Sequence, residues 1–149
     1  DVYFSERNVF YALKIRGFGM QSSEYPWAYL NYLEELDLAR NGLQSLEGIE
    51  YCCHTRYLDV SNNELSDINS LCYLNTIEEL YLENNFIGSI ESLQSLFNLR
   101  ILDLSGNYIT DISPLLEWDN LEFVNLSGNR VPTYQVENLR AKGVLVMVR

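Results

Sequence analysis

Apolar residues return along this chain in a fixed frame. Leu36-Asp37-Leu38, Leu58-Asp59-Val60, Leu80-Tyr81-Leu82, Leu102-Asp103-Leu104 and Val124-Asn125-Leu126 each begin 22 residues after the one before. Three residues past each triplet stands an asparagine: Asn41, Asn63, Asn85, Asn107 and Asn129. An aliphatic follows two further on, at Leu43, Leu65, Ile87, Ile109 and Val131. Apolar residues then recur every third position, as in Ile68, Leu71 and Leu74, or Ile90, Leu93 and Leu96.

Each part of this unit predicts a local structure. Alternation of period two marks a short strand with one face buried. Apolar residues three apart predict a 3₁₀ or extended return segment. One such coil cannot bury its own apolar row. Coils stacked about 4.8 Å apart form a parallel sheet over a continuous core. The asparagine column falls where the chain leaves the strand. There a side-chain amide can pair backbone groups that would otherwise be buried without partners. Thr55 replaces the leucine that opens the second coil, predicting looser packing there.

The five asparagines in register make the pattern specific. It resembles the leucine-rich-repeat family, in the 22-residue class found in bacterial internalin-like proteins. The match runs from about residue 33 to 131, and Leu46-Glu47-Gly48-Ile49-Glu50-Tyr51 also resembles the end of a first coil in that family. The resemblance implies an α/β fold: a right-handed solenoid of five coils with a parallel concave β-sheet. It further implies a helical N-terminal cap and a helix–strand C-terminal cap. The expected organisation is one domain, with caps at residues 1–32 and 132–149 around repeats at 33–131.

An open solenoid exposes core at both ends, so closing elements are expected. Near the N-terminus Ser5 can cap a helix carrying Val9, Phe10, Ala12 and Leu13, with Gly17 and Gly19 ending it. Pro26 would open a second short helix with Trp27 and Leu30. The alternative is a strand at Leu13-Lys14-Ile15. At the other end Pro132 opens a predicted helix that Gly143 stops. The run Val144 to Val148 then reads as a strand protecting the sheet edge.

Charge narrows the partners. The net charge is −11, and residues 34–122 hold 17 acidic against 3 basic side chains. Such a field repels nucleic-acid phosphate and anionic lipid and favours a basic protein surface. Apolar residues form 47% of the chain, enough for a buried core. No apolar run reaches the length that spans a bilayer, so membrane insertion is not expected. A monomer is expected. Three cysteines, Cys52, Cys53 and Cys72, leave at least one thiol unpaired and lean toward a cytoplasmic setting. The family resemblance allows a secreted or cell-surface one.

Catalytic chemistry is not expected. The chain holds one histidine, His54, and no phosphate-binding glycine loop or nucleophile elbow. Cys52, Cys53, His54 and Cys72 match no common zinc spacing, and no cofactor or metal is expected. Cys53 and His54 are adjacent, and neighbours on an extended chain point apart, which argues against a nucleophile–base pair. Asn125-Leu126-Ser127 is a glycosylation sequon, but Asn125 is expected within a strand.

Side chains alternating with the buried strand residues face outward. The first outward column is Glu35, Tyr57, Glu79, Ile101, Phe123, and the second is Asp37, Asp59, Tyr81, Asp103, Asn125. The third is Ala39, Ser61, Glu83, Ser105, Ser127. Tyr57, Tyr81, Ile101 and Phe123 are candidate anchors for a protein partner. Asp59, Glu79, Glu83, Asp103 and Asn125 complete the candidate surface. The same aromatic residues also suit strand packing between coils. Glu34, Arg56, Glu78, Arg100 and Glu122 alternate in sign, a ladder that would favour correct register. The expected function is a recognition module binding through the concave face. In the family that the chain resembles, the repeats engage host or cell-envelope proteins. The alternative is a stand-alone acidic inhibitor or immunity-type protein that blocks a basic toxin or enzyme.

Overall fold

The computed structural model describes Val9, Ala12 and residues 30–149. Six strands carry the sheet: β1 (Glu35–Asp37), β2 (Tyr57–Asp59), β3 (Glu79–Tyr81), β4 (Ile101–Asp103), β5 (Phe123–Asn125) and β6 (Leu145–Met147). They pair in sequence order, every neighbour parallel. Register follows the repeat: Glu35 lies opposite Tyr57, Tyr57 opposite Glu79, and Phe123 opposite Leu145. Each strand is three residues long because only the central alternation of each unit is strand-like. The next residues turn away through a left-handed backbone position at Arg40, Asn62, Asn84, Gly106 and Gly128.

Apolar spacing of three becomes hydrogen bonding of the same period. In the second coil Leu71 N–H donates to Ile68 O at 3.0 Å, and Leu74 N–H to Leu71 O at 3.0 Å. Ile77 N–H continues the chain to Leu74 O at 3.2 Å. The core residues are therefore bonded one to the next along a 3₁₀ path. Turns of this kind cover Ile49–Tyr51, Asn69–Tyr73, Glu91–Ser95 and Ser113–Leu115. Their apolar side chains meet the strand leucines in one core. Burying each such side chain stabilises the fold by about 1.5–3 kcal/mol.

The asparagine column stitches the coils. Asn63 Oδ1 accepts from Asn41 N–H at 3.0 Å and Leu43 N–H at 2.9 Å, in the preceding coil. Its Nδ2 donates to Val60 O at 2.8 Å and to Leu38 O at 3.1 Å. Asn85, Asn107 and Asn129 repeat the arrangement through Leu65, Ile87 and Ile109 N–H. One side chain thus satisfies turn groups in two coils at once. Thr55 corrects the expectation of a looser second coil. It is fully buried, and its hydroxyl donates to Leu33 O at 2.8 Å, replacing a packing contact with a coil-to-coil hydrogen bond.

Val9, Ala12 and Leu30 are helical and buried in this core. The expected cap at Ser5, the glycines at 17 and 19, Pro26, Trp27 and the alternative strand at Leu13-Lys14-Ile15 lie outside the described residues. Beyond β5 a helix covers Thr133–Ala141 and buries Gln135, Val136 and Leu139. Gln135 Oε1 accepts from Ile112 N–H at 2.8 Å, and its Nε2 donates to Asp111 at 2.9 Å. Gly143, at φ +91°, reverses the chain into β6. Arg140 then holds the new strand by donating to Val146 O at 3.0 Å.

Candidate protein-binding surface

The sheet face opposite the core is built by the strands' alternation. Leu36, Leu58, Leu80, Leu102, Val124 and Val146 point inward. Their neighbours on either side point out and form continuous columns across the six strands. Tyr57 and Tyr81, on adjacent strands but in different columns, meet with ring centroids 5.3 Å apart and planes tilted by 46°. Tyr81 donates its hydroxyl proton to Glu79 at 3.0 Å. Desolvation and that hydrogen bond push the Tyr81 phenol up to about 12. Tyr57 is also raised, by desolvation and then by the charges of Asp59, Asp37, Glu79 and Glu83.

Most of the second column also shapes the turn beneath it. Asp37, Asp59, Asp103 and Asn125 each accept, through Oδ1, the N–H two residues on, at 2.9–3.0 Å. Ser105 adds its hydroxyl to Asp103 at 2.7 Å. All four therefore hold the strand ends, and the three aspartates also bring charge to the face. Glu83 differs. Its Oε2 is buried and has no hydrogen-bond partner among the described residues. Burial, followed by the charges of Asp103 and Asp59, pushes its carboxyl up to about 7.

Two residues of this face escaped the sequence reading. Leu145 and Met147 continue the first and second outward columns on β6, opposite Phe123 and Asn125. They are 66% and 45% exposed. The signal was present, since Leu145-Val146-Met147 stands one more period of 22 beyond Phe123-Val124-Asn125. The face consequently changes character along the sheet. Its carboxylates lie on β1 to β4 or just beyond them, and β5 and β6 present Phe123, Asn125, Leu145 and Met147.

The alternating ladder lies along the strands' entry edge. Arg56 hydrogen-bonds Glu78 in the next coil, and Arg100 meets Glu122 at 3.0 Å. The hydrogen bond with Arg56 lowers the Glu78 carboxyl, helped by the charges of Arg56 and Arg100. Together with His54, Thr76, Asn98 and Asn120 the ladder walls a groove of about 590 Å³. Asn98 and Asn120 donate to the backbone carbonyls of Asn75 and Phe97 in the preceding coils, so their amides also join coil to coil.

The expectation that Cys53 and His54 point apart is overturned. Both converge on Asn31: Cys53 Sγ contacts its side-chain oxygen, and His54 Nδ1 lies 2.9 Å from its backbone oxygen. The two side chains approach to 3.7 Å. A turn at this position, rather than an extended strand, brings the neighbours to one side. A hydrogen bond to a carbonyl makes His54 Nδ1 the donor, so that nitrogen does not serve as a base toward the thiol. All three cysteines are free thiols, and Cys52 is a core residue whose burial raises its thiol to about 12. Among the described residues no group of three or more histidine, cysteine or carboxylate side chains could hold a metal ion. Nor is any described helix long and apolar enough to cross a membrane.

Comparison with known families agrees with the geometry. Residues 97–139 match a model of leucine-rich repeats in two copies, and residues 54–74 and 29–46 match two further leucine-rich-repeat models. The chain is a leucine-rich-repeat protein. No curated protein sequence matches it significantly. Among solved structures, this leucine-rich-repeat chain is similar to internalin C2 of Listeria monocytogenes, with a TM-score of 0.74 at 23% identity. That match covers 85% of the chain and 57% of the internalin. Listeria monocytogenes internalin InlF gives a TM-score of 0.71 at 24% identity, over 93% of the chain and 50% of InlF. The functional domain of InlJ from the same organism, which includes a cysteine ladder, gives 0.66 at 19% identity over 70% and 23%. The chain thus resembles the internalins in fold and spans about half the length of the first two.

Proposed function

We propose that this chain is a non-catalytic recognition module that binds a protein with a basic surface through the concave face of its sheet. The observation that carries the proposal is the composition of that face. Tyr57, Tyr81, Ile101 and Phe123 stand among Asp59, Glu79, Glu83 and Asp103, and Asn125 extends the polar part. Aromatic anchors bordered by charge suit a protein interface, where the aromatics hold and the charges steer. Leucine-rich-repeat folds serve as interaction scaffolds, which supports the same reading. The asparagine column keeps a structural role, since its amides are committed to turn groups.

The concentration of acid on β1 to β4 also supports a narrower form of the proposal, an acidic inhibitor of a basic toxin or enzyme. Both forms share one test. Wild type and a Tyr57→Ala/Tyr81→Ala/Phe123→Ala variant of matched circular dichroism are used as bait at low and high salt. The expected result is a basic protein retained by wild type at low salt, lost at high salt and absent from the variant. Equal retention by both baits would remove the concave face from the interaction.

A further inference from the structure

The exposed sheet face is asymmetric, and the asymmetry has a direction. Glu35, Asp37, Asp59, Glu79 and Glu83 crowd the half nearer β1, with Asp103 on the adjoining β4, around the Tyr57–Tyr81 ring pair. Tyr57 feels the charges of Asp59, Asp37, Glu79 and Glu83 together. Two aromatic faces surrounded by carboxylates attract a cation by ring quadrupole and by charge. The other half is different in kind. Phe123 leads to Leu145 and Met147, the most solvated apolar side chains of the face. Arg149 stands one period beyond Ser127 there, its carbonyl accepting from Gly128 as Ser127's accepts from Gly106. A cation is drawn to the β1 half, and the outward columns of β5 and β6 offer it no carboxylate.

We propose that the partner contributes one bipartite segment in a fixed orientation. A lysine or arginine lies over Tyr57 and Tyr81, and an aliphatic or aromatic side chain lies over Phe123, Leu145 and Met147. The inference rests on the concave-face reading above and adds the partner's chemistry and polarity to it. Spacing sets the segment's shape. The two seats are three strands apart, about 14 Å at roughly 4.8 Å per strand. An extended chain covers that span in about four residues.

Synthetic peptides test the polarity. Each probe has three lysines at one end, three leucines at the other and four glycine or serine residues between. The second probe has the same sequence reversed. A nitroxide on the leucine end broadens nearby resonances of the isotope-labelled protein. The expected result is stronger broadening at Phe123, Leu145 and Met147 than at Tyr57 and Tyr81, for both peptides. Tyr57→Ala/Tyr81→Ala should weaken binding at least tenfold, while Tyr57→Phe, which keeps the ring, should change it less than threefold. Broadening of both halves alike would overturn the orientation while leaving the concave face as the binding surface. Broadening confined to the side of the 3₁₀ turns would overturn both. No saturable binding at millimolar peptide, with the variants folded, would overturn the bipartite segment.

Discussion

Asn85 shows what a single side chain does here. Its oxygen accepts from Leu65 N–H, and its amide donates to Val60 O and Leu82 O. Asn85→Ala leaves Leu65 N–H without its partner, at about 1–3 kcal/mol, and takes one of two amide donors from Val60 O and Leu82 O, which keep Asn63 and Asn107. The expected loss by urea unfolding is about 3 kcal/mol, whereas removing the exposed Asn98 side chain should cost far less. Gly106 is constrained differently. At φ +69° a Cβ would lie 2.3 Å from the Asn84 side-chain oxygen, so Gly106→Ala should destabilise by about 1–2 kcal/mol. Glu83 gives a pH dependence. Its folded carboxyl is raised to about 7, so the fold binds a proton that the unfolded chain releases at lower pH. Its contribution therefore falls as pH rises from the ordinary glutamate range through 7. Glu83→Gln should match wild type near pH 5 and melt at a higher temperature than wild type at pH 8. The asparagine column was legible in the sequence because it repeats. Glu83 as a titrating group was not, because its burial arises from neighbours on other strands.

At the scale of elements, periodicity carried most of the information. Period two gave the strands, and period three gave the 3₁₀ path along Ile68, Leu71 and Leu74. Thr55 and the Cys53–His54 pair were misread for one reason. Both were judged without the adjoining coil, where hydrogen bonds to Leu33 and Asn31 set their positions. β6 was foreseen as a strand but not as part of the outward face, although its spacing from β5 equals the repeat. Its attachment is local, through β5 and the helix Thr133–Ala141. Val146→Asp places a charge in the core beside Val124. In a solenoid whose coils touch mainly their neighbours, the damage should stay near that end. Amide exchange should lose protection in β5 and β6 first, with β1 to β3 retaining theirs.

Across the whole molecule, the stacked frame turns sequence spacing into a surface. Residues 22 apart become neighbours, so scattered carboxylates and aromatics gather on one face. The acidic middle visible in the sequence becomes an acidic half of the sheet, and the apolar half became clear only once β6 joined it. This face is proposed as the one that binds. Cross-saturation NMR on the complex with the captured partner tests it most directly. Saturation of Tyr57, Tyr81, Ile101, Phe123 and Leu145 is expected. Saturation centred instead on Tyr73 and Phe97, exposed outside the strands, would contradict it.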